Sequence, residues 1–161
     1  MTMDAITIMF YGNRTFLQSI EGLETAHWET SNVCGIWSVK NIISHLAATE
    51  ILFADVFGMF TGVNERSMFD RYSATYETWN DDTVAERATM SASEALAEYN
   101  AAYEEKMARA HQLSPGLLAQ AGTIPWYGDK YALDDYIVYG DYGHKREHAA
   151  QIMAFRDILK R

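Results

Sequence analysis

Three histidines stand where their ring nitrogens can meet. His144 and His148 are four residues apart. On a helix that spacing puts both rings on one face, about one turn apart. Ile137 and Ile152 fall in register with them, so the face is apolar. His45 stands between Ile42 and Thr49 on a second apolar stripe. Imidazoles that point inward from two helices can converge on one point. A divalent ion such as zinc accepts three neutral imidazoles and keeps a fourth position for water or substrate. It also removes the cost of burying polar rings without partners. The competing reading is bland: a histidine on an apolar face is more often a hydrogen-bonded core residue, and H-x-x-x-H pairs arise by chance. Spacing alone leaves both readings open.

Other residues carry weaker signals. Asp141, one turn before His144, is either an orienting partner for a ligand imidazole or a solvated residue at the edge of the stripe. Gln151 has the same two readings. Cys34 has no evident neighbouring base and reads as a buried, inert thiol. Tyr136, Tyr139 and Tyr142 read as packing residues. Trp126-Tyr127-Gly128 is a candidate pocket mouth, and His27 and His111 read as surface residues near helix ends. Glu147 falls off the stripe, and no residue stands out as a general base.

Two metal templates fail. His144-Lys145-Arg146-Glu147-His148 fits the H-x-x-E-H protease pattern, but only 13 residues follow it, too few for a further carboxylate ligand well downstream. A di-iron bundle needs two Glu-x-x-His helices and two more Glu, and only Glu24-Thr25-Ala26-His27 fits, outside the helix cores.

The elements that must position the histidines are helices, because apolar residues recur at steps of three and four and no segment alternates. The first is expected from about Asp4 to Leu23, with Ile6, Phe10, Asn13, Leu17 and Ile20 on its stripe. The second starts behind Ser38 as N-cap and runs to about Thr61, with Gly62 as the stop. Its stripe is Ile42, His45, Thr49, Leu52 and Val56. The third opens on the capping box Ser91-Ala92-Ser93-Glu94, carries Leu96, Tyr99, Tyr103, Met107 and Ala110, and ends before Pro115. The fourth is expected from about Leu133 to Leu159, through Ile137, Asp141, His144, His148, Ile152, Phe155 and Leu159. The connection from Gly62 to Met90 is the longest and is expected to hold a short helix near Asp82–Ala88. It can cross the length of a helix. The expectation is therefore an all-α fold, a four-helix bundle with a long crossover between helices 2 and 3.

At 161 residues the chain suits a single domain spanning 1–161. Its net charge of −9 argues against nucleic acid and anionic membrane as partners. One cysteine leaves no intrachain disulfide framework, and with no signal peptide read at the N-terminus a cytoplasmic setting is expected.

Two segments together resemble a known family. Trp37-Ser38-Val39-Lys40-Asn41-Ile42-Ile43-Ser44-His45-Leu46 is similar to the segment that opens the second helix of DinB-like proteins. Tyr142-Gly143-His144-Lys145-Arg146-Glu147-His148 is similar to the H-x-x-x-H segment of their fourth helix. The resemblance implies a four-helix bundle and a three-histidine site at His45, His144 and His148 holding zinc or nickel; Asp141 and Gln151 stay candidates for the shell behind it by their positions alone. It implies a homodimer, as in many members. It also implies a metal-dependent enzyme acting on small electrophiles, since relatives include S-transferases that use bacillithiol, mycothiol or glutathione and an isomerase that uses mycothiol. Other relatives have lost the histidines. A non-catalytic small-molecule-binding or stress-response bundle with a structural metal is the alternative.

Overall fold

The computed structural model describes residues 4–161, and the described chain is all-α. It divides into two compact units: residues 4–22 with Leu113–Arg161, and Leu23–Gln112.

The first unit pairs α1 (Ala5–Ile20) with a C-terminal run made of α7 (Leu133–Tyr136), a π-helical segment (Ile137–Gly143) and α8 (His144–Leu159). Asp4 caps α1, its carboxylate accepting from the Thr7 amide at 2.8 Å. At the other end, the Arg156 guanidinium donates to the carbonyls of Ser19 and Glu21 at 2.8 and 2.7 Å. It thereby satisfies carbonyls that a helix end leaves without partners. Gly22 then turns the chain at φ +70°.

The inward face of α1 is Ala5, Met9, Gly12, Phe16 and Ser19 with Ile20. The expected stripe of Ile6, Phe10, Asn13 and Leu17 is one residue out of register, and Phe10 is 51% exposed. The helix also ends at Ile20 rather than Leu23. Apolar residues sit side by side at 9–10 and 16–17, so periodicity alone could not choose between the two faces. Gly12 chooses: α1 lies so close to Tyr142 here that a Cβ would be crowded, at 3.2 Å from the Tyr142 ring and 3.3 Å from its Cα.

The fourth expected helix is continuous from Leu133 to Leu159 but is not α-helical throughout. A π segment takes about one extra residue per turn. It buries Ile137 and Asp141 and leads into α8, which buries Lys145, His148, Ala149, Ile152 and Phe155. Leu159, expected on the stripe, is 41% exposed. Just before this run in the chain comes α6 (Pro115–Leu118), a single turn capped by Ser114, with proline at its start where a missing amide costs nothing.

The second unit is built on α2 (Val39–Gly58). Ser38 and Asn41 cap it reciprocally: the Ser38 hydroxyl accepts from the Asn41 amide at 3.2 Å, and the Asn41 carbonyl oxygen from the Ser38 amide at 3.0 Å. Every residue of α2 except Asn41 and Ile51 is buried, as expected of a helix apolar nearly all round. Its partner is α5 (Ala92–Ala110), which starts on the expected capping box. Tyr99, Tyr103 and Ala110 are buried there as expected, while Leu96 and Met107 are half-buried.

The long connection holds two helices, α3 (Ser67–Ala74) and α4 (Trp79–Ala85), where one was expected. No residue of α3 caps it by a side chain. Asp55 of α2 does so instead, its Oδ2 accepting from the amides of Met68 and Phe69 at 2.9 and 3.1 Å. Met68, Phe69 and Tyr72 then rest on a core of Ala48, Leu52 and Trp79.

Among the described residues two ion pairs are buried. In the second unit Lys106 Nζ lies 2.7 Å from Glu50 Oε2, with both side chains 0% exposed, and the ammonium sits 5.2 Å from the Tyr103 ring centre. In the first unit Lys145 Nζ lies 2.7 Å from Asp141 Oδ1. Among the described residues no helix is long and apolar enough to cross a membrane.

Candidate metal centre

The first turns of α8 carry His144 and His148 on one face, as their spacing requires. Their rings lie 4.7 Å apart between centres, and Nε2 of one is 3.0 Å from Nε2 of the other. His148 is buried and His144 half-buried. Nδ1 of His148 lies 2.8 Å from Oε1 of Gln151. An amide oxygen only accepts, so Nδ1 carries the hydrogen and the Nε2 lone pair faces His144.

The His144 ring has a second acceptor close by, the Gly140 carbonyl. If its one N–H goes to that carbonyl, two Nε2 lone pairs stand face to face. A shared cation resolves that arrangement. Two nitrogens on one tetrahedral zinc, at bonds of about 2.0–2.1 Å, lie about 3.3 Å apart. The 3.0 Å pair is close to that edge.

The electrostatics suit the same role. Burial, reinforced by His148, pushes the His144 ring down to about 4 from its ordinary 6.5, against the opposing pull of Asp141. Burial also lowers His148, against Gln151 and Glu147. Both rings are therefore neutral near pH 7, the form that binds metal.

Asp141 is 1% exposed and bonded to Lys145, which rules out a solvated edge residue. Glu147 is exposed. Tyr136 is buried while Tyr139 is 66% exposed, so the tyrosines do not act as one packing set. Trp126 is 41% exposed, and Tyr127 packs its ring between those of Tyr131 and Tyr136 at 5.1 and 4.9 Å.

In the second unit His45 is 4% exposed in the middle of α2. Its ring lies 4.9 Å from that of Trp37 and 6.2 Å, edge to face, from that of Trp79. Trp37 closes a tight turn with Cys34, donating its amide to the Cys34 carbonyl at 2.9 Å. Cys34 is half-exposed rather than buried, because this turn lies outside the helices. His27 is half-buried at the end of a short 3-10 turn, and His111 is exposed at the C-cap of α5.

The sequence reading missed Lys145, Lys106 and Glu50, since each is a charged residue expected outside. The i, i+4 spacing of Asp141 and Lys145 was the one available signal for the first of these.

The family model for the mycothiol maleylpyruvate isomerase N-terminal domain matches residues 13–132. The chain belongs to that family. The mycothiol maleylpyruvate isomerase N-terminal domain is a DinB-like helical domain, so the resemblance read from the two histidine segments holds at the level of the superfamily. The matched span contains His45 and ends before His144. No curated protein and no solved structure matches the chain.

Proposed function

We propose that this protein is a divalent-metal-dependent enzyme that joins a low-molecular-weight thiol to small electrophilic molecules. Its metal ligands are His45, His144 and His148. The observation that carries this reading is the neutral His144–His148 pair, with Nε2 atoms 3.0 Å apart and acceptors available to the other ring nitrogens. His45 supplies the third imidazole on the strength of its burial on α2 and of the DinB-like character of the family, whose domains bind divalent metals. The family's name speaks for mycothiol as the thiol. Zinc and nickel both suit an all-imidazole set.

A bound ion would lower the pKa of a thiol or water so that a nucleophile forms near neutral pH. The protein's own residues do the rest. Burial keeps the rings neutral, and Gln151 fixes the rotation and tautomer of His148.

The test is thiol consumption by tag-free protein loaded with zinc or nickel. Mycothiol, bacillithiol and glutathione are each offered with an activated aryl halide; with mycothiol and maleylpyruvate, where isomerisation would return the thiol, conversion of maleylpyruvate is read instead. Metal-dependent turnover with one thiol at least tenfold above the others supports the reading. Full metal occupancy without turnover on any pair would favour a structural metal in a binding module.

A further inference from the structure

From Leu133 to Ala149 the buried positions include a series that advances by four: Leu133, Ile137, Asp141, Lys145 and Ala149. An α-helix turns about 100° per residue, so each step of four overshoots by about 40° and four steps would carry the series nearly halfway round. The π segment at Ile137–Gly143 takes up extra residues and removes that drift. Asp141 and Lys145 stand at the centre of the series. Their side chains are 0% and 1% exposed and joined at 2.7 Å.

Lys145 also touches α1. Its Cδ lies 3.8 Å from the place a Gly12 Cβ would take, beside Tyr142. The lysine stem thus lies against α1 while its ammonium reaches back to Asp141. His144 precedes Lys145 by one residue and His148 follows it by three. Fixing the rotation of the helix at Lys145 therefore fixes where both rings point. A charged pair in this place is costly to desolvate, and apolar residues would fill the volume at less cost. What the charges add is a single geometry, which apolar contact does not impose.

We propose that the buried Asp141–Lys145 pair is a positioning device: it locks the rotation of α8 against the π segment and so holds the His144 and His148 nitrogens in ligand geometry. The proposal deepens the metal reading and rests on it, but its first readout needs no metal.

That readout is the ring-nitrogen spectrum of ¹⁵N-labelled, metal-free protein at neutral pH, with His144 and His148 assigned from H144Q and H148Q. Wild type is compared with D141L/K145M, which keeps the volume and removes both charges. Cobalt(II) titration of the same samples, read by its visible absorption, is the second readout. Both ring spectra should shift toward those of freely averaging imidazoles, with helical circular dichroism unchanged. Cobalt affinity should weaken at least tenfold. Unchanged ring spectra and cobalt affinity in the folded double variant would overturn the proposal. D141N, milder in shape, is read the same way if the double variant does not fold. If neither folds, the pair is a stability element and the positioning claim is wrong. Shifted rings in a protein whose wild type binds no cobalt would leave the positioning intact and sink the metal reading alone.

Discussion

Gly12 and Tyr142 meet where α1 packs on the π segment: a Cβ on Gly12 would lie 3.3 Å from the Tyr142 Cα and 3.2 Å from its ring. One of these neighbours is backbone, so the contact cannot relax by a rotamer change. Gly12→Ala improves helix propensity, yet it should destabilise the protein by about 1–3 kcal/mol through overpacking. Urea unfolding measures this. A stabilised Ala variant would show that the two helices separate at no cost.

Lys106 and Glu50 form a buried pair between α2 and α5, so removing one partner strands the other charge. Lys106→Met alone should cost about 3–5 kcal/mol. Lys106→Met with Glu50→Gln should recover most of that loss, since no formal charge is then buried. A double-mutant cycle by urea unfolding checks the coupling, and additive losses would contradict it.

The His144 ring gives the metal-free protein a pH dependence of known sign. Its folded value of about 4 lies below its ordinary 6.5. Between these values the unfolded chain takes up a proton that the folded chain refuses. Stability is complete above about pH 6.5 and falls as the pH drops toward 4, by up to about 3 kcal/mol. Unfolding of wild type and His144→Gln across that range isolates the effect. Parallel losses in the two proteins would contradict it.

Gln151 holds His148 through Nδ1. Gln151→Leu should weaken zinc affinity about 10–100-fold, the usual effect of losing a partner behind a ligand imidazole. Competition against a chromophoric chelator measures it, and an unchanged affinity would remove Gln151 from the site.

The parts of this protein that could be read from its sequence are those specified locally. The α2 stripe through His45 was legible because its apolar period is unbroken and Ser38 marks its start. The α5 capping box was legible for the same reason. The illegible parts depend on residues elsewhere. The cap of α3 is Asp55, thirteen positions before Met68 and on another helix. The face of α1 is decided by Tyr142, far along the chain. The π segment is a change in hydrogen-bond register, which no residue type announces. The buried lysines were illegible because charge predicts exposure unless the partner is known.

The claim that matters most is that His45, His144 and His148 hold one divalent ion. The direct measurement is elemental analysis of tag-free wild type and His148→Ala, each exposed to zinc and dialysed, with circular dichroism on the same samples. Wild type should retain one equivalent of metal per chain. The variant should stay helical, because the apolar faces of α1, α2, α5 and α8 supply most of the stability, and should lose the metal, because two imidazoles hold it poorly. A wild type that retains no metal, or a folded His148→Ala protein that retains a full equivalent, would contradict the account.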